Sequence, residues 1–377
     1  MKIGVDARSL SRPITGIGRY TLEMCKALSR IEGVSLYLYS SSPISKSIVS
    51  ELGLSVVKTH FWSNGLLAQM WAETYLPIWA KNDGVDIFWG ASHRLPRFLS
   101  NKIVKILTIH DLAWIYAKGT MRLTTYFLER LNMPVAVRKA DFIVTDSLST
   151  KRAVISEFGI SSQNISTVYL APSNIQPLSS IDLIKKKYKF CSPYFIFVGT
   201  LEPRKNLRNL LLAYSDLSTS EREISTLVVV GGKGWGGIDL QSMVSEMGLL
   251  DNVVIMNRVD DTILATLYCN AQFLVMPSLY EGFGLPLVES MFYGTPVMAA
   301  NNSSMPEIVG NAGLLVDASS VNSISSSLRK MITDRSLRKH LSKNASQNVK
   351  RFNWDRSAEK LVSVFEKAAL LKGIEKL

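Results

Sequence analysis

The chain predicts an α/β fold of two Rossmann-like domains facing each other across a cleft. Three observations carry this. Short apolar strands alternate with longer helical stretches, several strands are unbroken Val, Ile, Leu and Phe runs, and the alternation stops once, near residues 171–192, before starting afresh. Strand–helix repetition implies right-handed βαβ units and doubly wound sheets. An unbroken apolar strand is how a strand buried on both faces of a parallel sheet reads. At 377 residues and 47% hydrophobic, the chain suits two domains of ordinary size and excludes disorder.

In the first domain, strands are predicted over Lys2–Asp6, Ser35–Tyr39, Asp86–Trp89, Ile103–Ile109 and Phe142–Thr145. In the second they are predicted over Tyr194–Val198, Thr226–Val230, Val253–Met256, Phe273–Met276 and Pro296–Ala299. Arg19–Ile31 and Leu207–Leu217 read as helices between them, and Asp355–Lys372 as a closing amphipathic helix. Between the domains, Ala171-Pro172-Ser173, Pro177 and Ser179-Ser180 are turn formers, followed by the basic helical patch Lys185-Lys186-Lys187. The domains are therefore expected at 1–175 and 190–355, with 356–377 a terminal helix packing back toward the N-terminal domain.

Composition excludes several classes. Met1-Lys2 runs straight into a strand-like Ile3-Gly4-Val5 cut off by Asp6 and Arg8, so no secretory leader is expected. No apolar run approaches the roughly 20 residues of a membrane span. Cys25, Cys191 and Cys269 have neither metal-ligand nor redox spacing and are expected to be packing residues in a cytoplasmic protein. The four His residues, 60, 93, 110 and 340, are scattered, so no metal site is expected. Residues 1–180 hold 20 Lys and Arg against 12 Asp and Glu, a net +8 of the chain's formal +12. That favours an anionic surface or substrate for the first half. Nucleic acid is not expected, because no helix-turn-helix, finger or aromatic ribonucleoprotein motif is present.

The chemistry is concentrated in strand-to-helix loops, because ligands of such sheets sit at the carboxyl ends of the strands. Glu281-Gly282-Phe283-Gly284-Leu285-Pro286-Leu287-Val288-Glu289 follows a buried strand. Its glycines allow close backbone approach, the next helix offers free N–H groups, and Glu281 and Glu289, the latter expected about two turns into that helix, suit a polyhydroxylated ligand. Gly199-Thr200-Leu201-Glu202-Pro203-Arg204-Lys205 follows another strand and places two cations at a helix start, a diphosphate clamp. Gly16 and Gly18 follow the first strand and open a helix without completing a dinucleotide fingerprint, so they are expected near a sugar or phosphates. His110 closes the strand Ile103–Ile109, where it points to a sugar contact. The Gly231-Gly232-Lys233-Gly234 loop reads equally as a ligand loop or a plain turn, and Arg258-Val259 equally as a base pocket or a plain loop.

These residues resemble family 4 of the retaining glycosyltransferases, with the fold called glycosyltransferase-B. The likeness runs from Gly16-Ile-Gly-Arg19 to Pro306-Glu307-Ile308-Val309 and is most specific in Pro277-Ser-Leu-Tyr-Glu-Gly-Phe-Gly-Leu-Pro286 and Gly294-Thr-Pro-Val297. The subgroup it looks most like holds bacterial mannosyl- and rhamnosyltransferases of O-antigen and other surface polysaccharides. The resemblance implies an acceptor-binding N-terminal domain and a nucleotide-sugar-binding C-terminal domain. It implies Arg204 and Lys205 on the leaving diphosphate, Glu289 on the ribose, and Glu281 on the transferred sugar with the N–H groups of Phe283 and Gly284. It also implies His110 beside that sugar and Gly18 close to the donor. Gly16, Gly282, Leu285, Arg258 and Val259 complete the expected donor site.

The expected substrates are a GDP-activated mannose or D-rhamnose and a lipid-linked oligosaccharide, with no cofactor and no metal. A UDP- or dTDP-sugar donor, a phosphorylase or epimerase on the same fold, and a non-catalytic basic binding protein are the competing readings. Loose association of the first half with anionic membrane is a further expectation, from its charge and from the aromatics Phe61-Trp62, Trp71, Tyr75 and Trp79.

Overall fold

The computed structural model describes all residues except 12–13, 54–55, 62–64, 191–192, 238 and 375–377. It groups the chain into two compact units. The first comprises Met1–Leu112, Phe127–Leu170 and Asn353–Leu377; the second comprises Ala113–Tyr126 and Ala171–Phe352.

The first unit is built on β1 (Lys2–Asp6), β2 (Ser35–Ser40), β3 (Val56–Thr59), β4 (Ile87–Gly90), β5 (Val104–Ile109), β6 (Phe142–Thr145) and β7 (Ile165–Thr167). Their order across the sheet is β3-β2-β1-β4-β5-β6-β7, and every pair is parallel. The second unit holds β8 (Tyr194–Val198), β9 (Thr226–Val230), β10 (Val253–Met256), β11 (Leu274–Met276), β12 (Val297–Ala300) and β13 (Gly313–Val316). Their order is β10-β9-β8-β11-β12-β13, again parallel throughout. In both sheets the winding direction reverses once, between β1 and β4 and between β8 and β11, and such a switch point opens a crevice for ligand at the strands' carboxyl ends.

The unbroken apolar runs are the sheet centres: β4, β5 and β9 are buried at every position. Three strands, β3, β7 and β13, go beyond the sequence expectation, and all three are edge strands. Two of them mix polar with apolar residues, and Val56–Thr59 is partly exposed along its whole length. The closing helix is Trp354–Leu371, started by an Asn353 cap that accepts from the Arg356 N–H. It rests on the first sheet, where Phe365 lies 6.4 Å from the Trp89 ring and Lys372 Nζ donates to Asp141 Oδ2 at 2.6 Å.

Two expectations are corrected. Cys25 is a packing residue, but Cys269 is exposed at the end of the helix Asp261–Asn270; Cys191 lies outside the described residues. Of the aromatics expected to face a membrane, Phe61 is exposed as expected, whereas Trp71 is fully buried and Tyr75 and Trp79 are partly buried, their rings packing against one another; Trp62 is outside the described residues. Aromatic rings bury more area in a core than any other side chain.

Candidate active site

The second unit brings the predicted clamp and the predicted carboxylate together. β8 and β11 are neighbours, so the loops that leave their carboxyl ends touch. Asn206, in a left-handed conformation (φ 60°), donates through its Nδ2 to Pro277 O at 3.0 Å and Ala318 O at 2.7 Å, and Leu279 N donates to Arg204 O at 2.8 Å. Asparagine tolerates that backbone region better than most residues.

Across this seam Arg204 Nη1 reaches Glu281 Oε2 at 2.9 Å and Tyr280 O at 2.7 Å. Its Nη2 reaches Glu202 Oε1 at 2.5 Å. Lys205 Nζ donates to the other Glu281 oxygen at 2.6 Å. The Glu281 backbone is held too: its N–H donates to Ser303 Oγ and its carbonyl accepts from Ser304 Oγ. Burial drives the Glu281 carboxyl toward its neutral form, but Arg204 and Lys205 outweigh burial and hold its pKa at about 2. For Glu202 burial wins over Arg204 and Lys205, and its pKa is raised. The Arg204 and Lys205 side chains keep 16% and 11% of their surface accessible, so an incoming anion can reach both.

Phe283 is buried and Gly284 caps the helix Leu285–Phe292. Gly284 has φ +95°, and a Cβ there would come within 2.9 Å of Met276 and 3.0 Å of Leu287, so only glycine suits this turn. Glu289 stands one turn into this helix rather than two, because the helix starts at Leu285; its Oε2 accepts from Tyr268 OH at 2.9 Å. Gly282 is buried beside Glu281. Gly231 and Gly234 make backbone room: a Cβ at either would sit about 2 Å from Gly199 O or Leu201 O, and Leu201 N donates to Gly232 O. Arg258 and Val259 leave the edge strand β10, two strands out from β8, and the carboxylate of Asp260 is taken up capping Ile263 N at 2.8 Å.

In the first unit, His110 lies at the carboxyl end of β5, buried. Its Nδ1 is 2.6 Å from Asp146 Oδ2 and its Nε2 is 2.9 Å from Ala91 O. Both partners are acceptors, which favours a proton on each ring nitrogen. Burial opposes that charge, but Asp146 and the Ala91 carbonyl raise the pKa of the ring. The His110 N–H donates to His93 Nε2 at 2.9 Å, and Tyr20 packs edge-on at 4.9 Å. Gly16 and Gly18 begin the helix Gly16–Leu28 after β1. A Cβ at Gly18 would press on Ser9 O at 3.1 Å, whereas open space lies over the exposed Gly16.

Glu202, Asn206, Ser303 and Ser304 were not among the sequence candidates. Glu202 acts on Arg204 two residues away, Asn206 acts across the β8–β11 neighbourhood, and Ser303 and Ser304 act on Glu281 from the loop after β12, so only tertiary structure reveals the last three. Among the described residues no three His, Cys, Asp or Glu side chains converge as metal ligands, and no helix is long and apolar enough to cross a membrane.

Comparison with known proteins agrees with this layout. Residues 14–171 match the family model described as Glycosyltransferase Family 4, and residues 181–348 match Glycosyl transferases group 1. The chain is 30% identical to O-antigen chain mannosyltransferase B of Escherichia coli, over 97% of this chain and all of that protein. It is 26% identical to O-antigen chain mannosyltransferase RfbU of Salmonella typhimurium, over 86% and 89% of the two chains. Among solved structures it superposes on a sucrose-phosphate synthase from Thermosynechococcus elongatus with a TM-score of 0.76, covering 97% and 98% of the two chains at 19% identity.

Proposed function

Because this chain belongs to glycosyltransferase family 4, we propose that it moves a hexose, mannose or D-rhamnose, from a GDP-sugar to a growing lipid-linked surface polysaccharide such as O-antigen, with retention of configuration. The observation that carries the reading is the seam between β8 and β11, where Arg204 and Lys205 converge on Glu281.

A departing nucleoside diphosphate gains negative charge, and fixed cations stabilise it most when they are already in place. Glu281 keeps them in place before the donor arrives. In this proposal the phosphates then share the two cations, and Glu281 turns its acceptor capacity to hydroxyls of the transferred sugar. Glu289, steadied by Tyr268, takes the ribose hydroxyls, with Phe283 and Gly284 N–H groups beside the sugar and Arg258-Val259 toward the base. Retention follows a same-face route in which the leaving phosphate takes the acceptor proton, so no carboxylate nucleophile is required. Neither a cofactor nor a metal enters, and the enzyme works in the cytoplasm, loosely held at the inner face of the membrane.

Calorimetric titration with GDP and UDP side by side tests the donor, with GDP expected to bind more tightly and tighter UDP binding overturning that choice. Release of nucleoside diphosphate from GDP-mannose in the presence of acceptor, with the anomeric configuration of the product read by NMR, tests the rest. No transfer from any nucleotide sugar, or an inverted product, refutes it.

A further inference from the structure

The stretch Ala113–Tyr126 lies in the first half of the chain, yet it packs as part of the second unit. Its contacts there fall on two loops. Toward its start, Ala113 and Ala117 are buried with Tyr280, and the Tyr116 ring stacks on the Tyr280 ring, 5.6 Å away at an angle of 13°. Further along, Thr120 O accepts from Trp235 Nε1 at 2.9 Å, and the Arg122 guanidinium stands 5.3 Å over the Trp235 ring.

Those loops follow β11 and β9, and β8 lies between these two strands. The stretch is therefore a strap spanning the loop after β8, which carries Arg204 and Lys205. The Gly231–Gly234 loop reads from sequence equally as a ligand loop or a plain turn; in the fold it packs directly on the loop after β8. A Cβ at Gly234 would lie 2.0 Å from Leu201 O, and one at Gly236 would lie 2.4 Å from Pro203. Trp235, between those glycines, receives the strap.

The contact with Tyr280 bears on the clamp. Tyr280 O accepts from Arg204 Nη1 at 2.7 Å and Leu279 N donates to Arg204 O at 2.8 Å, so the backbone of residues 279–280 sets where the guanidinium stands. Among the described residues the Tyr280 ring is buried with Ala113 and Ala117, apart from the unit's main core around Phe195, Leu211 and Val229. Stacking holds a ring in place beyond what its burial alone gives. We propose that Tyr116 is a positioning residue for the diphosphate clamp: its stack on Tyr280 fixes the Tyr280 carbonyl and with it Arg204, while Trp235 anchors the other end of the strap. The inference rests on the reading of Arg204 and Lys205 as the clamp on the leaving diphosphate. A cation stabilises charge developing in the transition state most when it is fixed beforehand, so a loosened Arg204 costs turnover more than donor binding.

The test compares Tyr116→Ala, Tyr116→Phe and Arg204→Ala with the wild type. Tyr116 is 49% exposed, and an unchanged melting curve verifies that its variants fold. Hydrogen exchange of the peptide 277–284, read by mass spectrometry, should quicken about fivefold in Tyr116→Ala, the factor one aromatic pair is worth, with exchange in β9 unchanged. Exchange needs no substrate, so it decides the contact whichever nucleotide sugar the enzyme takes. In nucleoside diphosphate release from GDP-mannose, Tyr116→Ala should lower kcat about tenfold and leave the donor KM within about twofold of the wild type. Tyr116→Phe keeps the stack and should restore both readouts. The proposal is overturned, with the clamp reading left standing, by any of three results: wild-type exchange over 277–284 in Tyr116→Ala, wild-type kcat in Tyr116→Ala while Arg204→Ala is impaired, or a Tyr116→Phe variant as impaired as Tyr116→Ala. Near-normal turnover in Arg204→Ala sinks the clamp reading itself, and the proposal with it.

Discussion

Replacing Glu281 by glutamine removes the charge that holds Arg204 and Lys205 together while keeping the side chain's size. The structure sets the magnitude. A carboxyl at about 2 in the fold, against 4.5 ordinarily, corresponds to about 3 kcal/mol of stability at neutral pH. Breaking a buried ion pair by deleting one partner costs about 3–5 kcal/mol; the partial accessibility of the two cations puts this site at the lower end. The sign follows from the depressed pKa. The contribution is fully present above 4.5 and is lost as pH falls toward 2, because the unfolded chain takes up the proton first. Denaturant unfolding of the wild type and Glu281→Gln should therefore differ by about 3 kcal/mol at neutral pH. That gap should narrow by about 1.4 kcal/mol at about pH 3.5, one pH unit below the ordinary value. A gap that stays constant over this range, or a variant as stable as the wild type, refutes the assignment of Glu281 as the anchor of the clamp.

Arg204→Ala and Lys205→Ala should each lower transfer by about 10²-fold or more, since each cation acts on charge developing in the transition state; near-normal steady-state turnover in both would remove the diphosphate role. Glu289→Ala should weaken nucleoside diphosphate binding more than it lowers kcat, and calorimetry showing wild-type affinity would exclude the ribose contact. Activity should survive a chelator, and complete inactivation rescued by added metal would contradict the mechanism proposed above.

How much was legible in the sequence follows from what kind of force fixes each feature. The central strands were readable because burial on both faces forces continuous apolar runs, as in Val104–Ile109 and Thr226–Val230. The edge strands Val56–Thr59 and Ile165–Thr167 were not, because both mix polar with apolar residues, as a partly exposed strand allows. Gly284 was readable as a turn residue, since its positive φ is a local requirement. The pairing of Arg204 and Lys205 with Glu281 was decided only by tertiary structure. These residues lie 76 and 77 positions apart, and the strand order that makes β8 and β11 neighbours brings them into contact. The same holds for His110, whose charge is set by Asp146 and Ala91, 36 and 19 residues away, on β6 and β4 loops flanking β5. The sequence by itself determined which side chains carry chemistry and which backbone positions need glycine, because those are local properties. Only the tertiary structure decided which charges meet, because parallel strand order places side by side loops that are far apart in the chain.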